Sequence, residues 1–260
     1  MAVLCGWASI DERGKIRGGK AGDQTGKEVK TGNWYYFHQT HCLRWKDEEK
    51  AKKYAEVIKA LCNNKHIGYD QNQRTSLFNE LKRLDWDYTK LKKDVECDCS
   101  ELIACGVNCV LKKAVIPSYV YTGNLSSILV NSGYFKKLTG SKYCHIESYL
   151  KVGDILNAPN HHVISVLQNG TKHDATSNSK VAEPTLHKGM TGSEVKKLQA
   201  NLNDLGFRDA HGDKLILDGA FGTCTKEALK KFQRKCKIEA DGIYGEISYI
   251  EMKALIGNSK

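Results

Sequence analysis

The sequence lacks the features that mark membrane-spanning, disordered or low-complexity chains. No apolar run approaches the roughly 18 residues that predict a transmembrane helix. Only three prolines are present and 40% of the 260 residues are hydrophobic, which is typical of a chain with a packed core. The N-terminus MAVLCGWASIDERGK has neither the basic start nor the apolar stretch of a signal peptide. We therefore expect synthesis in the cytoplasm and no membrane insertion.

Basic residues outnumber acidic ones, but no dense basic block is present. The formal net charge of +10 suits any polyanion, including nucleic acid, anionic lipid and a bacterial wall with teichoic acids. A single-strand nucleic-acid binder would interleave aromatic residues with a basic stripe. The aromatic residues here are scattered, and NWYYF at 33–37 predicts a β-strand instead. We therefore expect no nucleic-acid partner.

Cysteine is abundant, and four of the ten cysteines lie in one short stretch, VECDCSELIACGVNCV at 95–110. Cysteines in a chain made in the cytoplasm are expected to be reduced, which disfavours disulfides. The remaining cysteines are each predicted to be small buried hydrophobic residues. They are Cys5, Cys42, Cys62, Cys144, Cys224 and Cys236.

The second half of this stretch predicts a helix that begins at a cysteine. SELIACGVNCVLKKA has helical apolar spacing, and Asp98 is the expected N-cap. Cys99 then lies in the first turn, where free N–H groups and the helix dipole favour a thiolate and lower its pKa. Cys105 and Cys109 share one helical face and are expected in the core. Cys97 precedes the helix in a supporting role.

Zinc binding is the competing interpretation of these four cysteines. A structural zinc site needs four ligands, which usually come as two pairs with two to four residues between the partners. The single residue between Cys97 and Cys99 is too short a spacing for this pattern, and the other two cysteines lie on the same short helix. We therefore predict no metal and no other cofactor, and a nucleophilic role for Cys99.

A cysteine nucleophile needs a base, and the candidates lie in VGDILNAPNHHVISVLQNG at 152–170. This stretch predicts two strands joined by a Pro-Asn turn, with His161 and His162 opening the second strand. Successive side chains on a strand point to opposite faces, so only one of these histidines can reach Cys99. A neutral imidazole there would take the thiol proton and later donate it to the leaving amine.

Together these motifs resemble those of the NlpC-like cell-wall cysteine peptidases. The resemblance rests on Asp98-Cys99-Ser100 before an apolar helix, followed by Gly-Asp-Ile-Leu and by His-Val at a strand start, and it spans about residues 45–175. It implies an α+β, papain-like fold in which a helix bearing the cysteine packs on a small antiparallel sheet bearing the histidine. It also implies that Cys99 is the nucleophile and that His162 is the base.

The same resemblance implies further site residues. A tyrosine upstream of the cysteine commonly lines such sites, and Tyr69 of IGYDQNQ has the matching position. Tyr69 would stabilise the oxyanion together with the Cys99 backbone N–H. Asp98 is also expected on the side of the site that faces the substrate or the oxyanion. The third catalytic residue usually follows an Asn-Gly turn, which implies that His173 orients His162. The alternative is that His173 is a linker residue.

Two features depart from this family or extend it. The glycine that usually follows Asp-Cys-Ser is Glu101 here, and the insert between Cys99 and His162 is long. GGKAGDQTGKEV at 18–29 is similar to an N-terminal element of clostridial and phage lysins. Gln24 within it would serve an oxyanion or substrate role. The alternative is a glycine-rich loop that only packs near the site.

The C-terminal part contains an internal repeat. LDGAFGTCTKEALKKF at 217–232 matches ADGIYGEISYIEMKAL at 240–255. In each copy Asp-Gly predicts a tight turn, and a second glycine followed by Ser, Thr or acidic residues predicts a helix start. With the helix predicted in TGSEVKKLQANLNDLGF, a small all-α domain of three helices results.

This small domain resembles the peptidoglycan-binding three-helix domain of bacterial and phage wall hydrolases, over about residues 186–256. The resemblance implies wall-binding roles for residues at the two Asp-Gly turns. They are Asp218, Gly219, Phe221, Asp241, Gly242 and Tyr244. The alternative is a structural helical bundle without a ligand.

The two halves predict a catalytic domain at 1–178, a linker at 179–185 and a peptidoglycan-binding domain at 186–260. Their combination implies a phage or prophage endolysin that acts on bacterial peptidoglycan after a holin releases it from the host cytoplasm. The expected reaction is hydrolysis of the D-γ-glutamyl–diamino acid amide of the stem peptide. The alternative bond is the N-acetylmuramoyl–L-alanine amide, and a non-catalytic wall-binding protein is the alternative of a different class.

Overall fold

The computed structural model describes residues 2–171, 185–236 and 238–257. Two compact units divide the chain, Met1–Asp174 and Ala175–Lys260, and each is described by itself. His173 and the predicted linker at 179–185, apart from Thr185, lie outside the described residues. None of the described helices has the length and the apolar character needed to cross a membrane.

Six short strands of the first unit form one antiparallel sheet in the order β2-β1-β8-β7-β3-β6. They are β1 Leu4–Ala8, β2 Val29–Asn33, β3 His41–Trp45, β6 Phe135–Leu138, β7 Ile155–Ala158 and β8 His162–Val166. The strands β4 (Ile67–Tyr69) and β5 (Val95–Cys97) pair in parallel as a separate ribbon. Because β5 ends directly before Asp98, this ribbon leads the chain to Cys99.

The described helices of the first unit have a wide range of lengths. They are α1 Glu48–Cys62, α2 Ser76–Arg83, α3 Cys99–Leu111, α4 Thr122–Asn131 and α5 Ser141–Cys144. The helix predicted after Asp98 is confirmed as α3, and the two strands predicted within 152–170 are confirmed as β7 and β8. A mixed α and β architecture with a cysteine at the start of a helix is therefore present, and its papain-like assignment stays a prediction.

Helix α3 packs against α1, α2 and β8. Toward α1 it carries Gly106, where a Cβ would lie 2.5 Å from Cδ1 of Ile58 and 2.9 Å from Cε2 of Tyr54. The missing side chain thus allows the two helices to approach each other. The hydroxyls of Tyr54 and Ser165, 2.7 Å apart, then join α1 to β8.

The side chains of β8 belong to two different hydrophobic clusters. Val163 packs in the cluster that contains Cys99 and the buried residues of α1 and α3. Ile164 and Val166 pack in a second cluster together with Phe37. This division follows from the alternation of side chains along a strand, and it gives the start of β8 contacts on both faces of the sheet.

The strand prediction for NWYYF at 33–37 is wrong. Strand β2 ends at Asn33, and the aromatic residues that follow lie outside any strand. The ring of Tyr35 packs on Phe37 of the same loop and on Trp7 of β1, with centroid distances of 5.4 Å in both pairs. Aromatic packing within the loop and against β1, and not alternation along a strand, accounts for these large side chains.

The second unit contains the three helices that its repeat predicts. They are α6 Ser193–Asp204, α7 Thr223–Lys235 and α8 Glu246–Gly257. Val195, Leu198 and Leu202 lie on the buried face of α6. The prediction that every isolated cysteine is buried is wrong here. Cys224 is exposed, because it lies in the first turn of α7 on the side away from the buried Thr225 and Ala228.

Candidate active site

Cys99 is the first residue of α3, and Asp98 caps the helix as predicted. One carboxylate oxygen of Asp98, Oδ1, accepts the Glu101 N–H at 2.8 Å. The other, Oδ2, accepts from Nη1 of Arg74 at 2.6 Å. Both oxygens are thus engaged within the protein, so the structure gives Asp98 the role of fixing the start of α3 and the side chain of Arg74.

Burial determines the protonation of the Cys99 thiol. Cys99 is only 8% exposed. Burial, followed by the negative charge of Asp98, raises the pKa of its thiol to about 12. The Ser100 side chain and a backbone N–H at Val163 oppose this rise. The predicted lowering of the Cys99 pKa is therefore wrong in this structure, because loss of solvation outweighs the helix terminus.

His162 is the first residue of β8 and precedes Val163, whose backbone N–H faces the Cys99 sulfur. Its ring packs edge-to-face on Phe37, with centroids 5.3 Å apart. Its Nε2 atom is buried and has no hydrogen-bond partner in the described part of the chain. Burial, followed by the charge of the nearby His161, lowers the pKa of His162 to about 4. The imidazole is therefore neutral near pH 7 and able to accept a proton.

His161 is the second histidine at the site. It is exposed and lines a cleft together with Cys99. Val163 belongs to the same cluster as Cys99, whereas the ring of His162 contacts Phe37, a member of the other cluster. The structure therefore brings both histidines to the start of β8, and the choice of His162 over His161 stays a prediction.

Tyr69 and Tyr35 lie close enough to Cys99 for their charges to interact with it. Burial raises the pKa of the Tyr69 phenol, and the charge of a Cys99 thiolate would add to this effect. The Tyr69 hydroxyl accepts from Nε2 of Gln71 at 3.1 Å. Burial also raises the pKa of Tyr35 to about 12, with smaller contributions from Cys5 and Cys99. The sequence indicated Tyr69 but missed Tyr35, because NWYYF has the composition of a strand.

The glycine-rich element at 18–29 supports Tyr69 through a glutamate. Glu28, fully buried, accepts the backbone N–H of Tyr69 at 3.1 Å and that of Gln24 at 2.9 Å. The Gln24 side chain donates to the carbonyls of Ala21 and Gly22 within its own loop. Gln24 does not line the cleft around Cys99. The oxyanion or substrate role of Gln24 stays a prediction, and Glu28 is a supporting residue that the sequence missed.

The cleft at Cys99 has a volume of about 410 Å³. Its lining comes from the N-terminal loop, the segment after β4, the start of α3, the start of α4 and the β7–β8 turn. These residues are Arg17, Gln71, Asn72, Arg74, Asp98, Cys99, Ser100, Tyr121, Thr122, Asn160 and His161. Most of them were missed by sequence reasoning, because segments so far apart in the chain carry no local signal of their meeting.

Glu101 lies inside the protein behind Cys99. It is fully buried, and neither carboxyl oxygen has a hydrogen-bond partner among the residues that the structure describes. Burial, followed by the charge of Asp98, raises the pKa of Glu101 to about 9. Glu101, which occupies the position of the usual glycine, is therefore a neutral acid near pH 7.

Two further sequence questions concern metal ligands and His173. Within residues 2–171, 185–236 and 238–257, no group of three or more His, Cys, Asp or Glu side chains could hold a metal ion. His173 lies outside the described residues, and its role as third catalytic residue stays a prediction.

In the second unit, the first Asp-Gly turn is held by a glutamine of α6. Nε2 of Gln199 donates to Oδ1 of Asp218 at 2.8 Å, and the Gly219 N–H donates to Oε1 of Gln199 at 2.9 Å. Phe221 is 2% exposed and belongs to the core of this unit. Asp218, Gly219 and Phe221 therefore contribute to the scaffold of this unit, and their wall-binding role stays a prediction.

The second repeat has the same arrangement. Nε2 of Gln233 donates to Oδ1 of Asp241 at 2.8 Å, the Gly242 N–H donates to Oε1 of Gln233 at 2.9 Å, and Tyr244 lies in the core. The sequence signal for these two glutamines was the recurrence of KKLQ at 196–199 as KKFQ at 230–233. We refer to the two networks as the glutamine clasps.

Family comparisons assign both units. A family model for the endolysin-like domain matches residues 5–173, well over half of the chain. A family model for a peptidoglycan-binding domain matches residues 191–247. The first range contains Cys99 and both candidate bases, and the second contains both Asp-Gly turns. No solved structure matches the chain.

Curated relatives share shorter segments. The chain is 36% identical over 102 residues to the N-acetylmuramoyl-L-alanine amidase CwlL of Bacillus licheniformis, covering 38% of this chain and 28% of that protein. It is 34% identical over 76 residues to a spore cortex-lytic enzyme of Oceanobacillus iheyensis, covering 29% and 26%. It is 37% identical over 65 residues to a zinc D-Ala-D-Ala carboxypeptidase of Streptomyces albus G, covering 25% and 24%. The chain thus spans about a quarter of the length of these relatives.

Proposed function

Because the chain belongs to the endolysin-like domain family, we propose that it is a peptidoglycan hydrolase that cleaves an amide bond with Cys99 as nucleophile. The observation that carries this proposal is the position of Cys99 at the start of α3, in a cleft, beside the strand that begins with His162. The match of residues 191–247 to a peptidoglycan-binding domain supports a wall-anchoring role for the second unit.

The proposed reaction starts from a neutral thiol and a neutral imidazole. As the Cys99 sulfur attacks the carbonyl carbon, the imidazole takes the thiol proton and the carbonyl oxygen becomes an oxyanion. The free backbone N–H of Cys99 at the start of α3 and the Tyr69 hydroxyl would stabilise that oxyanion. The C–N bond then breaks, and the imidazolium gives its proton to the leaving amine. Water, deprotonated by the imidazole, hydrolyses the thioester and restores the thiol.

His162 is the proposed base, and His161 is the second candidate. The half-buried ring of His162 lies one residue from the backbone N–H that faces the sulfur, and its low pKa keeps it neutral. His161 is supported by a different observation, since it lines the cleft with Cys99. A third residue that orients the base, for which His173 is the prediction, would contact the second ring nitrogen.

For the bond, we favour the N-acetylmuramoyl–L-alanine amide. CwlL, which has the longest aligned segment of the three relatives above, is named as an amidase for this bond. The D-γ-glutamyl–diamino acid amide is the second candidate, and it is supported by the NlpC-like motif around Cys99. The NlpC-like catalytic type, the phage or prophage origin and the release by a holin belong to the same resemblance and remain part of this proposal.

Mass spectrometry of fragments released from purified walls tests the proposal. Wild type would be compared with Cys99→Ala, His161→Ala and His162→Ala. We expect new N-termini on L-alanine for the favoured bond and on the diamino acid for the second candidate. We expect no release by Cys99→Ala and none by the variant of the true base. Equal release by wild type and Cys99→Ala would contradict the nucleophile, and wall binding without release by wild type would indicate a non-catalytic protein.

A further inference from the structure

The cleft contains one arginine with an acidic partner and one without. Arg74 is paired with Asp98 at 2.6 Å, so its charge is matched within the protein. The side chain of Arg17 also lines the cleft and is exposed, but it has no acidic partner at ion-pair distance among the residues that the structure describes. The cleft beside Cys99 therefore presents one unmatched guanidinium.

The main chain on both sides of Arg17 is fixed to the cleft. The carbonyl of Ile16 accepts the Gln71 N–H at 3.0 Å, and the Gly18 N–H donates to Oδ2 of Asp70 at 2.9 Å. Asp70 is fully buried, and its Oδ1 accepts the Asn72 N–H at 2.6 Å. Arg17 is thus held by the same segment that provides Gln71 and Asn72 to the cleft. A charged group on a fixed main chain loses less conformational entropy when it binds a ligand.

We propose that Arg17 binds a carboxylate of the substrate, namely the free α-carboxylate of the γ-linked glutamyl residue in the stem peptide. This inference rests on the proposed function. A γ-linkage uses the side-chain carboxyl of glutamate in the amide, which leaves the α-carboxylate free. That carboxylate lies within one residue of either candidate scissile bond.

The chemistry of the cleft favours this ligand group over others. The planar guanidinium of arginine presents paired donors that match the two oxygens of a carboxylate. One unmatched positive charge suits a single carboxylate, whereas a polyphosphate chain would require several cations in a row. Gln71 and Asn72, also in the lining, offer neutral amides to the peptide groups on either side of that carboxylate.

Two synthetic muramoyl peptides test the inference. They differ only in the glutamyl α-position, which is a free carboxylate in one peptide and a carboxamide in the other. The ratio of the two kcat/KM values would be measured for the full-length wild type, Arg17→Gln and Lys15→Gln. Lys15→Gln is the matched control, because Lys15 is an exposed cation of the same loop that does not line the cleft.

We expect wild type and Lys15→Gln to prefer the carboxylate peptide by about tenfold or more, the scale of a charge-assisted hydrogen bond. Arg17→Gln should lose this preference by falling to the carboxamide rate on both peptides. A preference that persists in Arg17→Gln, or an equal fall on both peptides, would overturn the inference.

A second readout separates this inference from the proposed function. If wild type cleaves both peptides equally and Cys99→Ala cleaves neither, the proposed function stands and the Arg17 inference fails. If wild type cleaves neither peptide nor purified walls, the proposed function fails. Isothermal titration then measures the binding of both peptides to Cys99→Ala and to Cys99→Ala/Arg17→Gln. The Arg17 inference requires that the carboxylate peptide bind more tightly than the carboxamide peptide only where Arg17 is present.

Discussion

The thiol of Cys99 and the imidazole of His162 are both held neutral by burial. Their pKa values of about 12 and about 4 are displaced in the directions that disfavour a thiolate–imidazolium pair. Proton transfer would therefore accompany attack on the substrate and not precede it. The sequence located Cys99 and its cap, because capping is a local interaction. It could not give the direction of the pKa, which depends on packing from distant segments.

Alkylation of the wild-type protein tests the neutral thiol. With a pKa of about 12, about one Cys99 thiol in ten thousand is ionised at pH 8. We expect limiting iodoacetamide at pH 8 to modify the exposed Cys224 well before Cys99, as measured by peptide mass spectrometry over time. Cys224→Ser is the control that removes the competing site. Modification of Cys99 ahead of Cys224 would instead support the thiolate that the helix position predicts.

Glu96 is a buried acid whose effect on the stability of the fold should depend on pH. Burial, then the charges of Glu28 and Asp70, raise the pKa of Glu96 from its ordinary 4.5 to about 8. A raised acid pKa means that the folded state holds the proton more tightly, so stability is full below pH 4.5 and falls as the pH rises to about 8. Glu96→Gln should therefore leave urea unfolding unchanged at pH 4.5 and increase the free energy of unfolding at pH 8.5 by about 1–3 kcal/mol.

The matched control for Glu96 is Glu80→Gln. Hydrogen bonding to Arg83 lowers the pKa of Glu80, so its contribution is present above the ordinary pKa and is lost as the pH falls. Glu80→Gln should thus destabilise at pH 8.5, with the opposite sign to Glu96→Gln. A destabilising effect of Glu96→Gln at pH 8.5 would mean that the Glu96 carboxylate is ionised and satisfied in the folded state.

At the scale of elements, local sequence patterns predicted the helices and most strands of the site. The N-cap Asp98 and the apolar spacing after it identified α3, and the alternation in 152–170 identified β7 and β8. The parallel ribbon of β4 and β5 was missed, because strands of three residues are too short for a periodic signal. The cleft was missed for a related reason, since the proximity of Arg17 to Cys99 depends on long-range packing alone.

Gly106 tests the packing of α3 on α1. A Cβ at this position would lie 2.5 Å from Cδ1 of Ile58, so Gly106→Ala should overpack the interface. We expect a loss of about 1–3 kcal/mol in the free energy of unfolding, measured by urea denaturation. Ile58→Val alone, which removes the overlapping methyl, should lose about 0.5–1.5 kcal/mol.

The double variant Gly106→Ala/Ile58→Val completes this test. Because the valine removes Cδ1, the closest of the atoms that the new methyl would contact, the double variant should be less destabilised than the sum of the two single changes. Simple additivity would show that Gly106 does not limit the approach of the two helices. A stabilising effect of Gly106→Ala alone would show that helix propensity outweighs the contact.

At the scale of the whole molecule, each of the two units has its own family match. The repeat in the sequence correctly gave three helices for the second unit, because each copy has its own turn and helix signals. It also predicted that Asp218 and Asp241 bind the wall. In the structure both residues are exposed, and one carboxylate oxygen of each accepts a hydrogen bond in a glutamine clasp, so their wall-binding role stays a prediction.

Gln199→Ala tests whether wall anchoring and bond cleavage are separable. The substitution removes the hydrogen bonds to Asp218 and Gly219, and we expect the second unit to lose about 1–3 kcal/mol of stability, the scale for buried polar groups left unpaired. In the full chain, sedimentation with purified walls and wall hydrolysis should both fall, while hydrolysis of a small muramoyl peptide should stay at the wild-type rate. Lys197→Ala, a change at an exposed position of the same helix, should leave wall sedimentation, wall hydrolysis and peptide hydrolysis unchanged. An equal loss on walls and on the small peptide would show that the clasp supports the catalytic unit as well, and the two units would then have to be treated as one functional body.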